Sequence, residues 1–191
     1  MTTQAITVSL ADVLAYRHPG VIRRYAKEHG DSPAEAEELF REMLKWLYLA
    51  YRSTTDAEGS AGCAMTAEIE KIDHMWHTFL LFTHDYAAFC QRYFGFFLHH
   101  IPGDDAEDER PFDTDLVRRQ LERQYGLVYD VLGEQTLLAW YEECRYAAVS
   151  KVKARHRLRL PHAGRSPCMA GTSSHTSPLL FYPCLKRSLP S

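Results

Sequence analysis

Helix punctuation constrains this chain more than any other feature. A capping residue, a proline or acid in the first turn, apolar residues three and four apart and a glycine stop recur along its first 150 residues. The clearest instance starts at Ser32, which is placed to cap, with Pro33 at the first helical position and Glu35, Glu37 and Glu38 opposing the positive end of the dipole. Phe40, Met43, Leu44, Leu47 and Tyr51 then return at helical spacing. Upstream, Ser9 with Asp12 forms a capping box for LADVLAYR, which should stop at His18 because a residue before proline is biased away from helical geometry. Pro19 suits the first turn of PGVIRRYAKEH, with Val21, Ile22 and Tyr25 on one side and Gly30 as terminator.

Residues 53–64, small, polar and glycine-bearing, read as a loop. Thr66, Glu68 and Glu70 open TAEIEKIDHMWHTFLLF, apolar on nearly every side of its later turns and so expected to be a buried central helix. Thr83 is placed as the cap of HDYAAFCQRYFGFFL, in which Tyr86, Phe89, Cys90, Tyr93 and Phe97 share a face. The acidic stretch GDDAEDER after Pro102 reads as a solvated loop. Two more helices are expected, from Asp113 or Thr114 through Tyr125 and from Glu134 through about Val149, the latter adding Leu137, Leu138, Trp140, Tyr141 and Cys144 to the core. The expectation is an all-α fold, one compact domain of six to seven helices over residues 1–150.

Residues 151–191 differ in kind. They hold eight of the 22 Lys and Arg residues and no acid, with many Ser and Pro and no sustained period, so they are read as a basic, disordered tail. An altered reading frame is an alternative origin for such a composition. The remaining 14 basic residues face all 25 acids in the first 150 residues, and a body that acidic is a poor binder of phosphate backbones. Nucleic acid, if bound at all, falls to the tail. Asp85, Gln91 and Arg92 interrupt the most apolar stretch, which excludes a membrane span, and the first residues lack the layout of a secretory leader. Five widely spaced cysteines with no CxxC pair argue against a disulfide framework and a four-cysteine zinc module, and together these features place the chain in the cytoplasm.

Five of the ten histidines, His74, His77, His84, His99 and His100, fall within 27 residues, beside Asp73 and Cys90. Asp73, His74 and His77 project to one broad helical face, and a carboxylate and an imidazole one turn apart can ligate one ion. If the next helix runs undistorted to its end, His100 lies near Tyr93 and Phe97 while His99 points to the polar side. A metal site of Asp73, His77 and His100, with Cys90 or His74 as a further ligand, would then lie between two antiparallel helices. Imidazole with one carboxylate suits zinc or ferrous iron, and a cysteine would favour zinc. His84, next to a capping position, reads as exposed, and the aromatic residues read as core.

The run IDHMWHTFLLFTHDYAAFC followed by FGFFLHHIP resembles the core motif of the glycine-rich-domain-containing protein-like family, through Asp73, Trp76, His77, Tyr86, Cys90, Gly95 and one of His99 or His100. Residues 8–149 are similar to a short bacterial relative without the glycine-rich region. The resemblance implies a helical domain and supplies no established catalytic activity. Nothing in the sequence names a substrate, since no phosphate loop, dinucleotide fingerprint or hydrolase elbow is present, and no nucleophile stands at a convincing spacing. Two functions therefore compete. In one, the histidines brace the core of a helical interaction domain that binds a protein partner, the reading the sequence favours. In the other, they hold zinc or iron in a metal-binding protein or small metalloenzyme.

Overall fold

Helix α3, Pro33–Thr55, is the element on which most others pack: α1 (Leu10–Leu14), α2 (Pro19–His29), α4 (Glu70–Leu80) and α6 (Thr114–Leu132) all lie against it. Helix α5 (Thr83–Tyr93) lies against α4, and α7 (Glu134–Trp140) against α6. The computed structural model describes residues 8–55, 63–100 and 114–141, and among them there are seven α-helices, one short 3-10 turn at Ala67–Ile69 and no strand. The fold is all-α, as its punctuation requires. No helix among the described residues is long and apolar enough to cross a membrane.

The capping chemistry explains where the first three helices begin. Ser9 accepts from the Asp12 amide while the Asp12 carboxylate accepts from the Ser9 amide, closing the expected capping box. Ser32 and Glu35 repeat that exchange ahead of α3. Gly30 ends α2 with φ +77°, a left-handed conformation that glycine adopts without a Cβ penalty.

The central helix is α3 rather than α4. From Trp46 to Ala50 five successive α3 side chains are buried, because neighbours cover it on several sides. Helix α4 instead buries Ile72, Asp73, Met75, Trp76, Thr78 and Phe79 and leaves Glu70, Lys71 and His77 in solvent. Phe79 carries α4 into the aromatic heart of the molecule, with the rings of Tyr16, Phe40, Tyr86 and Phe89 all within about 6 Å of its own, packing whose loss costs ~3–5 kcal/mol for a phenylalanine.

Several boundaries depart from expectation. Helix α3 continues through Thr55 instead of yielding to a loop at Ser53, since Ser53 and Thr54 return their hydroxyls to the Ala50 and Tyr51 carbonyls. Thr83 lies inside α5, the capping position falls on Phe82, and no side chain caps that end. Helix α5 also stops at Tyr93, five residues before Leu98, because Gly95 takes φ +77° and turns the chain back. Helix α6 runs on past Tyr125 to Leu132, and α7 gives way at Tyr141. Cys144, the rest of the helix expected to reach Val149, the acidic stretch 103–110 and the tail 151–191 lie outside the described residues.

Candidate metal centre

Asp73 and His77 stand one turn apart on α4, the spacing that brings two side chains to the same face. Asp73 is buried, its side chain 3% exposed, whereas the His77 ring sits at the surface, 48% exposed, with its Nδ1 3.7 Å from Asp73 Oδ2. The third member arrives from the segment after α5. His100 places Nε2 2.7 Å from Asp73 Oδ1, and its side chain is 7% exposed. Its ring packs edge-on to Trp76 and tilted beside His77, with centroids 4.4 Å away in each case. One donor atom from each of Asp73, His77 and His100 lies within 4.8 Å of the other two.

The electrostatics of the cluster centre on Asp73. Burial pushes the Asp73 carboxyl up, but the hydrogen bond from His100 and the charges of His77, His100 and His74 outweigh it and hold the acid below its ordinary range. A carboxylate only accepts, so the proton between the two side chains sits on His100 Nε2, which donates to Asp73. A tetrahedral ion with ligands 2.0–2.1 Å away sets its donor atoms roughly 3.3 Å apart. The three donor atoms here lie within 4.8 Å of one another, with His100 Nε2 2.7 Å from Asp73 Oδ1 and His77 Nδ1 3.7 Å from the other oxygen, Oδ2, so an ion would require the side chains to rotate and the His100 Nε2 proton to leave. The half-exposed His77 leaves one side of the cluster open to water.

The placement of the site is not the expected one between two antiparallel helices. It lies between α4 and the non-helical residues 97–100, because α5 ends early and the chain doubles back at Gly95. His100 faces Asp73, while His99 is exposed with its ring against Phe97. His84 is exposed, as expected. The remaining candidates stand apart from the triad. His74 points along α4 toward Glu70, 3.8 Å away, and stacks on His29. Cys90 is buried, its thiol pushed up by desolvation, and it faces the Leu98 backbone and the Tyr86 hydroxyl.

One polar constellation escaped the sequence reading. His18 caps α2: its Nδ1 accepts from the Val21 amide at 3.1 Å, which leaves the proton on Nε2 for Asp85, 3.2 Å away on α5. The signal was present in the His-Pro pair, since the residue before a first-turn proline occupies the capping position.

An all-helical body that brings a buried acid and a buried imidazole beside a surface imidazole defines the class of protein. The chain belongs to the UCP032817-like family, an uncharacterised family that it matches over residues 13–124, a stretch containing the whole triad. This corrects the resemblance to the glycine-rich-domain-containing protein-like family, which nothing in the comparisons indicates. The roughly 30 residues behind that resemblance are largely packing residues, with Trp76, Tyr86, Phe89 and Cys90 all buried, and many helical cores demand such a run. No curated protein and no solved structure matches the chain.

Proposed function

We propose that the protein binds a divalent transition metal, zinc or ferrous iron, through Asp73, His77 and His100. The observation that carries this reading is the meeting of one carboxylate and two imidazoles, from two separate chain segments, within 4.8 Å. Two histidines and one carboxylate with an open position form a donor set used for both metals. The open side, next to His77, is where water or a small ligand would complete the coordination. Metal analysis of untagged protein, purified and reconstituted with each metal, tests the reading. About one equivalent bound, abolished by His77→Ala, is the expected result, and no retained metal overturns it.

The rival reading is the interaction domain braced by histidines, and the Asp73–His100 pair supports it by satisfying both groups without an ion. Leu81 and Phe97, 62% and 41% exposed, would supply apolar contact for a protein partner. Two finer statements accompany the proposal. Cys63 and Cys90 are free and buried, which supports a reducing, cytoplasmic setting. The chain is also proposed to divide near residue 150 into a helical body and a basic tail, so truncation after Ser150 should leave the body's metal binding and thermal midpoint unchanged.

A further inference from the structure

The residues between Gly95 and His100 raise a question of register. In an extended segment alternate side chains point to the same side. Here Phe97 and His99 are exposed while Leu98 and the His100 ring are buried. A slip of one residue would exchange the two histidines and offer His99 to Asp73, so something must select His100. Among the described residues, the side chain that hydrogen-bonds the backbone of this segment is Tyr86 on α5. Tyr86, fully buried, donates its hydroxyl proton to the Leu98 carbonyl at 2.6 Å and accepts from Trp76 Nε1–H at 3.1 Å. Cys90, four residues on and so on the same face of α5, is also fully buried.

We propose that Tyr86 is the positioning residue of the site: it clamps the Leu98 backbone and thereby sets the register that delivers His100, not His99, to Asp73. The hydroxyl joins three elements at one atom, since Trp76 belongs to α4, Tyr86 to α5 and Leu98 to the returning segment. Leu98 precedes His100 by two residues, so a carbonyl fixed there leaves His100 little freedom to turn away. Outer residues that orient a ligand typically alter metal affinity 10- to 100-fold when removed.

The affinity arm of the test rests on the metal reading above, and a second arm does not. Tyr86→Phe, which removes one oxygen and keeps the ring, is compared with the wild-type full chain by cobalt(II) titration, following visible absorption, with circular dichroism as the check on folding. Cobalt binding at least tenfold weaker in a folded Tyr86→Phe protein is expected, as is loss of binding in His100→Ala and wild-type binding in His99→Ala. Wild-type affinity in Tyr86→Phe, or a larger effect of His99→Ala than of His100→Ala, overturns the clamp. Should Tyr86→Phe not fold, Trp76→Phe, which removes the indole N–H that the Tyr86 hydroxyl accepts, takes its place, with a several-fold loss expected and unchanged affinity counting against the clamp. If the wild type binds no cobalt, the metal reading fails on its own, and the metal-free imidazole resonances decide the rest. A slowly exchanging His100 Nε2 proton, present in the wild type and lost in Tyr86→Phe, supports the clamp, and its persistence in the variant overturns it.

Discussion

The segment before α4 and the segment after α5 are held by the same device and put it to different use. Before the helix, Gln124 of α6 grips residue 64: its Oε1 accepts from the Ala64 amide at 2.6 Å, and its Nε2 donates to the Ala64 carbonyl at 2.9 Å and to the Tyr141 hydroxyl at 2.7 Å. After α5, Tyr86 grips Leu98 in a comparable way. Around Gln124 the chemistry closes on itself. The amide is 3% exposed with both donor hydrogens engaged, burial drives the Tyr141 hydroxyl well above its ordinary range, and the Cys63 thiol nearby is pushed up to about 12. Around Tyr86 the chain of contacts ends differently, in a buried carboxylate whose second oxygen faces an imidazole open to solvent. A tie that consumes all of its polar groups inside the protein can only support the fold, whereas one that leaves donor atoms at the surface can also bind.

The sharpest way to break this contrast is Gln124→Leu. It strands the buried Ala64 amide and carbonyl together with the Tyr141 hydroxyl, and each unsatisfied group costs about 1–3 kcal/mol. A loss of about 3 kcal/mol in denaturant-derived stability is expected, with metal affinity in the folded protein unchanged. A cost below about 0.5 kcal/mol would mean that the tie is incidental. Next in size is Asp73→Ala, which deprives a buried imidazole of its acceptor and should cost about 2 kcal/mol while abolishing metal binding. Together the two variants ask whether stability and binding separate between the Gln124 tie and the Asp73 cluster.

A smaller effect is expected from acid. The folded Asp73 carboxyl is held below its ordinary range, so its contribution to stability is complete above the unfolded value, near 3.9, and is lost as pH falls through the folded value. The thermal midpoint of the wild type should therefore fall more steeply between pH 5 and pH 2.5 than that of Asp73→Asn. Parallel curves would show that Asp73 gains nothing from its imidazole partners in the folded state.

These partners also show what the sequence could disclose. The helices at Ser9, Pro19 and Pro33 were legible because caps, prolines and glycines act locally, within a turn of where they stand. The pairing of Asp73 with His77 was legible for the same reason. His100 was placed in the right constellation by an argument with the wrong geometry, since its position depends on Gly95 ending α5 and on a hydroxyl twelve residues upstream of Leu98. Cys90 and His74 stand outside the group of donor atoms that meet, Cys90 buried on α5 and His74 turned toward Glu70. Which helix lies at the centre was equally illegible, because α3 and α4 have similar apolar content and only the arrangement of neighbours covers one of them all round.

The least destabilising substitution carries the most information. On sequence grounds His77 counts as a buried imidazole, and His77→Ala would then cost about 1–3 kcal/mol. The structure puts that ring half in solvent, so its removal is expected to change stability by no more than about 0.5 kcal/mol, the range of ordinary surface substitutions. Metal binding should nevertheless disappear, because only Asp73 and His100 remain and their 2.7 Å hydrogen bond then competes with any ion. Urea denaturation of metal-free wild type and His77→Ala, followed by the same experiment with zinc added, reads both quantities. Coincident metal-free curves, with zinc stabilising only the wild type, place the function of the cluster on α4 in binding. A large metal-free loss would show instead that His77 braces the fold much as Gln124 does, and the contrast between the two ties would vanish.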